Sequence, residues 1–80
     1  MVQIRYFAGA AEAAGLDEAE VDASELTASE LRAELGRSNP RLAEVLRVSS
    51  LLADGARLDD PDAPLAGVQR VDVLPPFAGG

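Results

Sequence analysis

The sequence contains no cysteine, no histidine and no tryptophan. Without cysteine there are no disulfides, thiolate metal sites, iron–sulfur clusters or thiol nucleophile. Without histidine the usual general base and the commonest metal ligand are both missing. Lysine is absent as well, and all seven cations are arginines. Aromatics are scarce, with one tyrosine and two phenylalanines. The core must therefore come from Leu, Val, Ile and Ala. No apolar run approaches the ~20 residues of a membrane span. The opening MVQIRYFAGA has no basic segment ahead of an apolar stretch, so no secretory signal is expected. So short a chain without a disulfide framework fits a reducing compartment, and a cytoplasmic location is expected.

What remains is an ordinary globular composition, 48% hydrophobic over 80 residues. That length allows one small domain, expected to span 1–80 with residues 75–80 as an extended C-terminal tail. A chain of this size buries only about 60% of its unfolded surface. The net charge of −7 disfavours nucleic acid, whose binding is dominated by phosphate contacts. It would steer the domain towards a basic protein surface instead.

Val2-Gln3-Ile4-Arg5-Tyr6 alternates apolar and polar, the signature of a half-buried strand. Val2, Ile4 and Tyr6 are expected to face the core, and Phe7 the opposite face. Residues 8–15 are Ala-rich and could form a short helical turn or a loop, of which Gly9 and Gly15 favour the loop. Residues 18–23 form a weaker strand, with Ala19, Val21 and Ala23 on one face. Thr27 to Glu30 fits a capping box, flanked by the hydrophobic staple of Leu26 and Leu31. Gly36 is expected to end that helix in a left-handed conformation. Asn39 and Pro40 then start a short second helix as N-cap and N1, with Leu42, Val45 and Leu46 as its apolar face. Residues 48–53 read as a strand, Asp54-Gly55 as a hairpin turn, and Arg57-Leu58 as the start of the return. Residues 59–67 read as a loop anchored by Leu65. Residues 70–74 alternate again, with Val71 and Val73 facing one way. Arg57 and Arg70 are expected to form ion pairs across the sheet. This order of elements is an α+β domain, one sheet with helices on one face.

The chain closes on LPPFAGG. Pro75 and Pro76 stop ladder pairing and keep the segment extended. Six residues reach at most ~20 Å. Phe77 offers an apolar anchor part-way along. Ala78, Gly79 and Gly80 have no branched side chain and could thread a narrow channel. The carboxylate of Gly80 would arrive as the reactive group. Such a carboxylate suits acyl activation, but the chain lacks a phosphate-binding loop: GAAEAAG has no Lys-Ser/Thr ending. A separate adenylating enzyme would be needed. Paired carboxylates for acid–base work would need a cleft that eighty residues hardly build. The acidic stretch DDPDAP lacks metal-ligand spacing, so no metal site is expected.

VQIRYFAGAAEAAG, LLADGARL, DDPDAPLAG and above all RVDVLPPFAGG carry a resemblance. The sequence resembles the small, sulfur-carrier subunit of molybdopterin synthase, in the ubiquitin-like β-grasp superfamily. The resemblance spans the whole chain. It implies a mixed sheet, one main helix, a short second helix and a flexible Gly-Gly tail. It implies a non-catalytic subunit with no bound cofactor. Gly80 would be adenylated, with ATP consumed by a ubiquitin-activating-type enzyme, and converted to a thiocarboxylate fed by a sulfur donor protein. Gly79 and Gly80 would then enter the large synthase subunit and deliver sulfur to the pyranopterin precursor. Phe7, Leu58, Leu74, Pro75, Pro76, Phe77 and Ala78 would contact the partner. Family members often carry an arginine where this chain has Ala11. The alternatives on the same fold are a carrier for thiamin thiazole or for cysteine synthesis, and a ubiquitin-like modifier or docking module. The two prolines and Phe77 favour molybdopterin synthase.

Overall fold

The computed structural model describes residues 1–76. The chain runs β1 (Val2–Tyr6), α1 (Gly9–Ala14), β2 (Glu18–Val21), α2 (Ala28–Gly36), α3 (Pro40–Val48), β3 (Ser50–Ala53), β4 (Ala56–Arg57) and β5 (Arg70–Leu74). The strands form one sheet in the order β2-β1-β5-β3-β4. β1 and β5 are parallel; the other neighbours are antiparallel. The last strand therefore occupies the centre of the sheet.

Alternation decides which side chains go inside. Val2, Ile4, Tyr6, Val71, Val73 and Leu51 point to one face and are buried. Leu31, Leu42 and Leu46 of the helical layer pack on them in one cluster. Leu65 joins the same cluster, fully buried, and anchors its loop as expected.

The start of α2 shows where its spare amide donors go. Thr27 Oγ1 accepts from the Glu30 amide at 3.3 Å, and the Glu30 carboxylate accepts from the Thr27 amide at 2.9 Å. The amides of Ala28 and Ser29 donate to the carbonyls of Ala63 and Pro61. The acidic loop of residues 59–67 thus completes the cap of a helix thirty residues upstream. Asn39 also works twice: its carbonyl oxygen accepts from the Leu42 amide, and its amide group donates to the Ala13 carbonyl. One side chain ties the end of α1 to the start of α3.

Four expectations are corrected. Residues 9–14 form a helix rather than a loop, because alanine is the best helix former and Ala10 and Ala13 bury against the core. Gly15, at φ 78°, ends it. Gly36 stays within α2, and Arg37 caps the helix in right-handed conformation. The glycine is needed because a Cβ there would lie 2.8 Å from Ala43 Cβ. The helix after Asn39 is not short. Its nine residues match α2 and extend through Val48, so β3 begins at Ser50. Arg57 and Arg70 pair two residues along their own chain, with Asp59 and Asp72, rather than across the sheet. Strand ends also move: β2 stops at Val21, with Ala23 buried beyond it, and β4 is Ala56–Arg57.

Candidate functional site

The helices cover one face of the sheet, and the strand registers lay out the other. Glu18, Arg5, Asp72, Leu52 and Arg57 form one row across all five strands. Glu20, Gln3 and Arg70 form the row below. Gln3 Nε2 donates to Glu18 Oε1 at 2.9 Å between them. On the other side, the register pairing Tyr6 with Val73 brings Phe7 beside Leu74, and Leu74 faces Ser50. The open face is therefore charged through its middle and apolar at one end.

Phe7 and Leu74 make that apolar end, and Leu52 of the charged row lies diagonally next to Leu74. All three are half-buried, and none belongs to the core cluster or to the side chains packed on it. The Arg5 guanidinium stands 5.3 Å from the Phe7 ring centroid, a cation–π contact. Leu58, by contrast, packs partly buried against the core. Leu52 escaped sequence reading because the pair Leu51-Leu52 offers no alternation; only the register with β5 shows which leucine turns outward.

Asp72 was also missed. An acidic residue between Val71 and Val73 reads as solvent-facing, yet only 9% of it is exposed. It lies between Arg5 and Leu52, with Arg70 Nε 3.4 Å from its Oδ1. Neither of those two atoms makes a hydrogen bond. The pair is an ion contact without hydrogen-bond geometry.

The end of β5 sets the root of the tail. Because β1 and β5 are parallel, Tyr6 and Leu74 finish at the same end of the sheet. Pro75 is buried and Pro76 exposed, so the chain leaves the sheet's centre beside Phe7 and Leu74. A hollow of about 470 Å³, lined by Arg5, Phe7, Ala11, Asp17 and Glu18 among others, opens at this end. Ala11 is one of the residues lining the hollow. Ala8, at φ 50°, makes the sharp entry into α1 at its edge. Phe77, Ala78, Gly79 and Gly80 lie outside the described residues.

Side-chain chemistry on the domain is sparse. Among the described residues no three carboxylates gather to hold a metal ion. Among the described residues no helix is long and apolar enough to cross a membrane. Burial pushes the Tyr6 phenol above its ordinary pKa and the Arg32 guanidinium below its own. Arg32 is a structural group: its Nη1 donates to the carbonyls of Leu46 and Ser49, where α3 ends. The described residues thus offer an open sheet face beside the root of the tail.

The sequence profile of the ThiS family matches residues 4–80. No curated protein matches closely enough to count as a relative by sequence. Several solved structures share the fold. A Pyrococcus furiosus protein assigned as molybdopterin converting factor, subunit 1, superposes with a TM-score of 0.81 at 22% identity, covering 95% of this chain and 97% of its own. A Haloferax volcanii protein solved in solution gives 0.73 at 26% identity, over 99% of this chain and 85% of its own. Small archaeal modifier protein 1 of H. volcanii gives 0.70 at 23% identity, over 95% and 97%.

Proposed function

The chain belongs to the ThiS family of ubiquitin-like sulfur carriers, and from that premise we propose that it is the small subunit of molybdopterin synthase. The observation that supports this most is the join between β5 and LPPFAGG. The central strand of the sheet runs into two prolines beside the half-buried apolar pair Phe7 and Leu74. A partner seated on that pair would lie where the tail leaves the sheet.

In this reading a Gly80 carboxylate oxygen attacks the α-phosphorus of ATP on an adenylating enzyme, and pyrophosphate leaves. A sulfur donor protein supplies sulfide equivalents that displace AMP, giving the thiocarboxylate. The tail then enters the large subunit, where its sulfur passes to the pyranopterin precursor and water restores the carboxylate. The domain contributes docking surface and reach; the large subunit contributes the catalytic side chains. The work is cytoplasmic.

A second reading is a protein modifier, favoured by the likeness to small archaeal modifier protein 1. A third is the carrier for thiamin thiazole. One experiment separates them. The chain ending at Gly80 is incubated with ATP, a sulfide source and an adenylating enzyme, and its intact mass is measured. Replacement of one oxygen by sulfur, then consumption of that sulfur only with the large synthase subunit and precursor, is the expected result. Consumption by thiazole synthase alone supports the third reading. Attachment through Gly80 to lysines of other proteins supports the second. Failure to gain either AMP or sulfur overturns the carrier role here.

A further inference from the structure

The seven arginines are unevenly placed. Residues 28–48, which span α2 and α3, hold four of them, Arg32, Arg37, Arg41 and Arg47, against three glutamates. That segment carries +1 in a chain of −7, so the remaining residues carry −8. The α2–α3 segment is thus less acidic than the rest of the chain, and it repels an acidic protein least.

A groove of about 260 Å³ runs between α2 and α3. Ala33, Gly36, Ala43 and Leu46 give it an apolar floor, and Arg32, Arg37 and Arg47 border it. Gly36 and Ala43 approach closely at this floor, and neither side chain extends beyond a methyl group. Arg32 is held by the carbonyls of Leu46 and Ser49, so its stem is a fixed wall. Arg37 and Arg47 are different. Their side chains are 73% and 72% exposed, and each makes one surface ion pair, to Glu34 and Glu44. Such pairs are worth little. A guanidinium has five donors, and each of these two spends a single nitrogen on its glutamate.

We propose that this groove is a second docking surface, and that its occupant is an acidic protein segment carrying a large apolar side chain. The apolar side chain fills the floor between the helices. Flanking carboxylates take the free donors of Arg37 and Arg47. The remaining residues, at −8 in sum, disfavour such a segment elsewhere, which gives the site its selectivity. The groove lies on the helical layer, opposite the face that bears Phe7, Leu52 and Leu74. A protein held there leaves the root of the tail at Leu74 and Pro75 uncovered, so both surfaces can be occupied together. This does not depend on which pathway the tail serves.

The test uses the intact domain labelled with ¹⁵N and a short capped peptide in which a leucine–phenylalanine pair is flanked by glutamates. A second peptide replaces the glutamates with lysines. The expected result is amide shifts centred on Ala33, Gly36, Arg37, Ala43 and Arg47 with the acidic peptide only. Arg37→Glu combined with Arg47→Glu should weaken that binding roughly tenfold or more, with an unchanged melting temperature. Shifts centred on the open sheet face, equal binding of the lysine peptide, or no groove shifts at millimolar peptide would each overturn the proposal. If the charge-reversed variant loses its fold, Arg37→Gln with Arg47→Gln reads the same loss without new repulsion; undiminished binding in that variant would also overturn it.

Discussion

Gly36 and Ala43 touch backbone to side chain across the α2–α3 seam. A Cβ placed on Gly36 would stand 2.8 Å from Ala43 Cβ and 2.9 Å from its Cα. In an exposed helix, glycine to alanine gains up to ~1 kcal/mol. Here the neighbour is partly backbone and cannot swing away, and overpacking costs about 1–3 kcal/mol. Gly36→Ala should therefore destabilise by roughly 1–2 kcal/mol in urea unfolding. Adding Ala43→Gly should recover part of the loss. A stabilised Gly36→Ala would show that the seam has room.

Asp54 holds the hairpin to the start of β5. Its carboxylate accepts from the amides of Gln69 and Arg70, and its own φ is 48°. Asp54→Ala loses both bonds and puts a less tolerant residue at positive φ. Each lost bond costs about 1 kcal/mol, so about 2 kcal/mol is expected, read as a lower urea midpoint. Asp54→Asn keeps an acceptor and the turn preference, and should lose less than half as much.

Tyr6 sets the alkaline limit. Its pKa is raised by burial, so the folded state keeps the proton when the unfolded chain has begun to lose it. Its contribution is fully present below the ordinary tyrosine value of about 10, and is lost as pH rises through the higher folded value. With no lysine or cysteine, few other groups titrate in that window. Stability should be level from neutrality to about pH 9 and fall above about pH 10. Tyr6→Phe should flatten that fall; an unchanged fall would place its cause elsewhere.

Phe7 sits outside the core, so folding and docking should separate on it. Phe7→Ala should lower stability by only about 1 kcal/mol, well short of the 3–5 expected for a core phenylalanine. Partner affinity should drop about thirtyfold, the equivalent of roughly 2 kcal/mol. Both are measured on one variant, by urea unfolding and by titration with the large subunit. A large stability loss with unaltered affinity of the folded fraction would return Phe7 to the core.

The tail predictions concern chemistry alone. Deleting Gly80, or adding a residue after it, should abolish sulfur transfer with the fold intact. Gly79→Val places a branched side chain where, in the proposed function, the chain passes closely through its partner. It should block adenylation or transfer without changing the melting temperature. Transfer at the parent rate in any of these variants would sink the carrier reading.

Local chemistry was legible in the sequence. The capping box at Thr27 and Glu30, the Asn39-Pro40 start and the Asp54-Gly55 turn each depend on neighbours a few residues apart. The same holds for the alternation in β1 and β5, which buries Val2, Ile4, Val71 and Val73. LPPFAGG, too, is a feature of sequence. What needed the tertiary structure depends on partners distant in the chain. Gly36 reads as a helix terminator, and only Ala43 across the seam makes it a packing residue. Ala10 and Ala13 overrule Gly9 because the core needs their faces. Leu52 turns outward, and Asp72 is covered, because β5 inserts between β1 and β3. The loop of residues 59–67 looks like a spacer until its carbonyls meet the first amides of α2. Propensity acts over a few residues, whereas burial and register are set wherever the sheet brings remote strands together.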